Sequence, residues 1–143
     1  MIPEINYIAV ILATLSSMVV GTIWYAEKVF GARWMKLSGM TREDTQTGFV
    51  KALVITLIVS FITAWVLAGA ATIVWHFSGG GYLWATLVTS VILWAGFTAA
   101  RFITHDAFEG RPTSLTVLNI AHELVTVVVM AIIIGVWPPA GTV

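Results

Sequence analysis

The chain has 143 residues and no net formal charge; 59% of its side chains are hydrophobic, 10% are charged and none is cysteine. At a mean hydropathy of +0.95 there is too little polar surface to cover a soluble domain. Without thiols, a disulfide framework and a thiolate metal site are both excluded. This composition points to an all-α integral membrane protein.

A helix needs about 20 apolar residues to cross the hydrocarbon. The stretches Ile5–Ala26 and Ala52–Ala100 contain no Lys, Arg, Asp or Glu, and Pro112–Val143 contains only Glu123. The middle stretch is too long for one span and is divided by Ser78-Gly79-Gly80-Gly81, since glycines cost helix stability and permit a reversal. The pattern predicts one transmembrane domain, residues 1–143, with four spans at about 5–25, 52–75, 83–104 and 115–137.

The first span has Glu4 as the only charged side chain before it. It lacks the basic segment of a signal peptide and exceeds its apolar run, so it is read as a mature span. Ala9, Ala13, Ser17 and Gly21 recur along it every four residues, as do Thr56, Ser60, Ala64, Ala68 and Thr72 along the second span. Small residues at this spacing let helix backbones approach closely, either within one bundle or between copies.

The first loop, 26–51, carries five of the seven basic residues: Lys28, Arg33, Lys36, Arg42 and Lys51. Within Lys28–Met40, Phe30, Trp34 and Leu37 fall on one helical face, with Lys28, Arg33 and Lys36 around it. This predicts a short interfacial helix whose apolar face meets lipid and whose basic residues lie near anionic headgroups. Gly39 can end it, and Thr41-Arg42-Glu43-Asp44 reads as a capping box that opens the second helix near Arg42.

The other two basic residues, Arg101 and Arg111, lie in the second loop, 101–114. Cytoplasmic loops collect Lys and Arg, so both loops are expected inside, with both termini and the glycine turn outside. Tyr7, Trp75, Tyr82, Trp84 and Trp137 then mark the outer interface and Trp24, Tyr25 and Trp34 the inner one, while Trp65 and Trp94 fall near mid-span and are expected to pack within the bundle. The second loop also holds His105, Asp106 and Glu109. His105 and Glu109 are four apart, but a metal site needs three or four converging ligands, so no metal or other cofactor is expected. Pairing of Asp106 and Glu109 with Arg101 and Arg111 is the plainer reading.

The fourth span holds one polar stripe: Asn119, His122, Glu123 and Thr126, at i, i+3, i+4 and i+7. Glu123 falls near the bilayer centre, where an ionised carboxylate costs about 2.5–3.5 kcal/mol on insertion scales. It must pair, bind a proton or face water. Either Glu123 and His122 form a proton- or cation-handling site supported by Asn119 and Thr126, or Glu123 forms a structural pair with Arg101.

Several segments together resemble a known family. They are Asn6-Tyr7, Gly21-x-x-Trp24-Tyr25, Phe30-Gly31-x-x-Trp34-Met35, Phe108-Glu109-Gly110-Arg111-Pro112 and Leu118-Asn119-Ile120-Ala121-His122. In these segments the chain is similar to the bacterial membrane family called domain of unknown function 1761. The resemblance covers nearly the whole chain and implies a four-span inner-membrane protein, with no established activity, cofactor or catalytic residue. At His122 this sequence departs from the pattern, where the residue is more often aromatic.

Two functions fit. The first is a homo-oligomeric transport or channel-type protein, with the fourth-helix stripe lining a polar cavity. The second is a non-catalytic accessory subunit of a larger membrane complex, with the stripe joining helices. No nucleophile–base pair or metal set is visible, so an enzyme is not expected. Membrane lipid and further protein copies or subunits are the expected partners; nucleic acid is not.

Overall fold

The structure, a computed structural model, describes residues 3–142. Four helices are long and apolar enough to cross a membrane: α1 (Tyr7–Trp24), α4 (Phe49–Ser78), α5 (Tyr82–Phe108) and α6 (Thr113–Val136). Two short helices, α2 (Ala32–Ser38) and α3 (Arg42–Gln46), lie in the first loop. The four long helices pack in a ring, α1 against α6, α6 against α5, α5 against α4 and α4 back against α1. Each of the four predicted spans corresponds to one of these helices.

Local chemistry explains the ends. The side chain of Asn6 accepts from the Ile8 and Ala9 amides at 3.1 and 3.2 Å, filling orphan donors of the first turn. Its amide also donates to the Trp137 carbonyl, tying the start of α1 to the end of α6. Between α4 and α5, Gly79 and Gly80 take φ of 67° and 81°, a region open to glycine at little cost. The Trp75 indole donates to the Gly80 carbonyl across this turn. The described ends of the chain and the glycine turn lie at one end of the bundle, and the two longer loops at the other.

Core residues come from all four helices, including Val10 and Ala13 of α1, Ala64, Leu67, Ala68 and Ala71 of α4, Tyr82 of α5, and Met130, Ala131 and Ile134 of α6. These residues sit in the half of the bundle nearest the described chain ends, while Ala99, Leu115 and Leu118 are buried toward the loops. Thr72 anchors this half: its hydroxyl contacts the Glu4 carbonyl and the Tyr82 hydroxyl at 2.9 and 3.0 Å. Nearby, Gly135 packs so tightly on α5 that an added Cβ would fall 2.9 Å from the Leu83 Cα.

The loop half is different. Every residue of α4 from Phe49 to Val59 is exposed. The small-residue seam is buried at Ala9, Ala13 and Ser17 and at Ser60, Ala64, Ala68 and Thr72; at Gly21 and Thr56 the two helices part. The repeat therefore serves packing within the bundle over most of its length.

The short helix expected in the first loop is present: a π-helical turn, Glu27–Gly31, runs directly into α2, and Gly39 at φ 73° closes it. Gly31 is in the right-handed helical region, and an added Cβ there would collide with the Tyr25 carbonyl, so the close approach of the helix to the end of α1 requires glycine. Two other expectations need correction. The helix opened by the capping box is not the second span. It is the single turn α3, which stops before Gly48 at φ 77°, and the span begins at Phe49. Trp65, expected inside, is 46% exposed on the outer face of α4. Trp94 does pack inward, and its indole donates to the Ile120 carbonyl of α6 at 2.9 Å.

The capping box itself is complete: Thr41 accepts from the Asp44 amide, and Asp44 accepts from the Thr41 amide and hydroxyl. The hydrogen bond from the Thr41 side chain, then that from its backbone, hold the Asp44 carboxyl below its ordinary value. A carboxyl depressed by folding adds stability above its unfolded pKa and loses it as pH falls through the folded one. Thr41→Ala should move the Asp44 titration upward toward an ordinary aspartate, followed by carboxyl NMR. An unmoved titration would mean the cap does not form in the membrane-bound protein.

Candidate functional site

The stripe on the fourth span occupies the middle of α6. Glu123 lies ten residues beyond Thr113 in a helix of 24 residues, or about 15 Å along a length of about 36 Å. Its neighbours decide what the carboxylate can do.

Where α4 leaves the seam, a cleft of about 720 Å³ opens between α1, α4 and α6. From α6 it takes His122, Glu123 and Thr126; from α1, Ser17, Gly21 and Thr22, with Tyr25 just past its end; from α4, Thr56, Ser60 and Thr63, with apolar side chains between them. Three of the four stripe residues thus face one cavity. Asn119, the fourth, is half-buried one turn nearer the loops and does not line it.

His122 is held closely. Its side chain is 14% exposed and its Nδ1 lies 3.4 Å from a Glu123 oxygen. Its ring stands 4.9 Å from that of Tyr25 and 5.8 Å from that of Trp24. It rests over Gly21, where an added Cβ would lie 3.8 Å from Nε2. The Thr126 hydroxyl is committed to the His122 carbonyl at 2.9 Å, with Nε2 at 3.5 Å. Glu123 is more open, at 37% side-chain exposure, and His122 is its one ion-pair partner among the described residues.

The structural alternative, a pair between Glu123 and Arg101, does not form among the described residues. Arg101 is exposed on α5 and lines a separate pocket of about 410 Å³ with Phe97, His105, Asp106, Glu109 and Arg111. The two cavities share no residue, so Arg101 leans to the loop-side surface instead of reaching the cleft. Nor does Arg101 serve the second-loop acids. Arg111 takes both, with Glu109 at 2.6 Å and Asp106 at 3.8 Å. Among the described residues no group of three or more His, Cys, Asp or Glu converges as metal ligands.

Asp106 carries a structural task. It is 5% exposed and accepts from the Thr116 hydroxyl at 2.7 Å, linking α5 to α6 across the turn. The face formed by Phe30, Trp34 and Leu37 is half-buried. Phe30 packs on Trp24 at 4.5 Å and Trp34 meets Tyr25 edge-on at 5.6 Å. Part of that face therefore braces the loop end of α1, and only the remainder is free for lipid.

Sequence reasoning placed Tyr25 and Trp24 in an interfacial belt and missed their contact with His122. The signal was present: Ser17, Gly21 and Tyr25 continue the four-residue repeat of α1 onto the side that faces His122. The Trp24 indole nitrogen is buried without a hydrogen-bond partner, an orphan donor beside the histidine.

Residues 8–135 match the family described as protein of unknown function (DUF1761). The chain belongs to this family. The match runs from the first turn of α1 to the last turn of α6 and includes every residue of the cleft. No curated protein and no solved structure matches the chain.

The Asp106–Thr116 link can be tested directly. Asp106→Ala strands a buried hydroxyl and should cost about 1–3 kcal/mol, read as a lower unfolding midpoint in detergent. In the double variant with Thr116→Val the penalties should fall short of additivity. Strict additivity would show that the bond contributes nothing.

Proposed function

We propose that this family member is a transport or channel-type membrane protein in which Glu123 handles a proton or another cation inside the cleft. The observation that supports this most is a mid-helix carboxylate that faces a cavity and has no Lys or Arg partner among the described residues. Ionisable groups at membrane depth are costly, and most line pathways for ions or substrates. Removing the Arg101 pairing removes the main structural reason for keeping this one.

The cleft is one-sided, and one copy encloses little volume. A path across the membrane therefore calls for a second copy, which makes a homo-oligomer part of the proposal. The favoured location is a bacterial inner membrane with both basic loops cytoplasmic and both termini outside, supported by the positions of all seven Lys and Arg residues. In this reading the protein is not an enzyme and needs no cofactor or nucleic acid; membrane lipid surrounds it. The second reading, an accessory subunit of a larger complex, draws on the unpartnered first half of α4, which a neighbouring helix could cover.

Purified protein in liposomes with a trapped pH dye provides the test. Glu123→Gln keeps shape and most hydrogen-bonding capacity, so it should abolish proton movement while the unfolding midpoint stays close to that of the parent. Arg101→Gln should leave both unchanged. Flux that persists in Glu123→Gln would overturn the transport reading, and a variant that no longer assembles would favour the accessory-subunit reading.

A further inference from the structure

The composition of the cleft narrows what Glu123 can hold. A divalent or transition-metal ion is held by several converging carboxylate, imidazole or thiolate ligands, and no group of three or more acidic, His or Cys residues converges among the described residues. The cavity, at about 720 Å³, instead falls in the range of organic ligand sites, roughly 300–1,000 Å³. Its lining is mostly apolar, with Met18, Leu53, Val59, Val127 and Met130 among the contributors, and Glu123 is its one acidic residue. Tyr25, 37% exposed, presents an aromatic ring to the same space, and such rings attract cations held over their faces.

Building on the transport reading, we propose that the cleft binds a lipophilic organic monocation, a quaternary ammonium or phosphonium centre on a bulky apolar body. Glu123 balances the charge, Tyr25 stacks on it and the apolar walls take the body. A zwitterionic lipid headgroup suits the site less well, since its phosphate would enter a cleft that no Lys or Arg lines.

The probe is tetraphenylphosphonium, with tetraphenylborate as a control of the same shape and opposite charge, measured by equilibrium dialysis on protein in nanodiscs. Tetraphenylphosphonium should bind saturably and tetraphenylborate should not. Glu123→Gln should abolish binding. Tyr25→Ala should weaken it about fivefold, while Tyr25→Phe retains it. Thr56→Trp, at an exposed position on the cleft wall, should also block binding while leaving Glu123 in place. Equal uptake of both ions, or binding indifferent to Glu123→Gln and Thr56→Trp, would overturn the proposal. Binding present in phosphatidylglycerol discs but lost in phosphatidylcholine discs would overturn it in favour of the lipid headgroup. The two readings separate cleanly. Glu123-dependent proton flux without phosphonium binding defeats the ligand class alone. Binding through Glu123 without any flux upholds the site and defeats transport.

Discussion

The buried small-residue stripes of α1 and α4 govern the rest of the molecule. Lipid offers no hydrophobic drive for helix association, so two helices meet closely only where small side chains let their backbones approach. Ala9, Ala13 and Ser17 of α1 and Ser60, Ala64, Ala68 and Thr72 of α4 are buried, and Thr72 locks the far end through Glu4 and Tyr82. Beyond Ser60 toward the loops, α4 carries Ala52, Leu53, Ile55 and Thr56, all exposed. The seam closes over half the bundle and opens over the other half, and the opening is the cleft.

That asymmetry changes the standing of Glu123. In a bundle packed along its whole length, the carboxylate would be sealed among helices and would need a fixed cation. In the open half it reaches a polar-edged cavity, with hydroxyls of Ser17, Thr22, Thr56, Ser60 and Thr63 nearby. His122 occupies the tight end of the site, between Gly21 and two aromatic rings. The open carboxylate and the packed ring are therefore adjacent residues with different surroundings. Phe30 and Trp34 brace the same corner from the first loop.

Architecture was legible because it rests on period and position. Apolar length, the glycine run and the basic loops each point to four spans through a physical cost that no tertiary contact can override. The stripe His122, Glu123 and Thr126 was likewise readable as one helical face. The surroundings of Glu123 were not: Arg101 could reach the carboxylate in length, and only the fold shows it exposed on a separate pocket. The break at Gly48 was hidden because Thr41–Asp44 signals a helix start equally well for one turn or for ten. Tyr25 was hidden for a similar reason, since an interfacial aromatic and a cavity aromatic occupy the same sequence position.

The central claim is that the loop half of α4 stands away from α1 and leaves a water-accessible cleft onto Glu123. The absence of native cysteine allows single spin labels at Thr56, on the cleft wall, and at Ile58, 57% exposed on the same helix. Accessibility to a water-soluble nickel complex and to oxygen, measured in nanodiscs, is the most direct test. The account predicts that Thr56 responds to the nickel complex while Ile58 responds to oxygen alone. A Thr56 label as shielded from the nickel complex as the Ile58 label would contradict it.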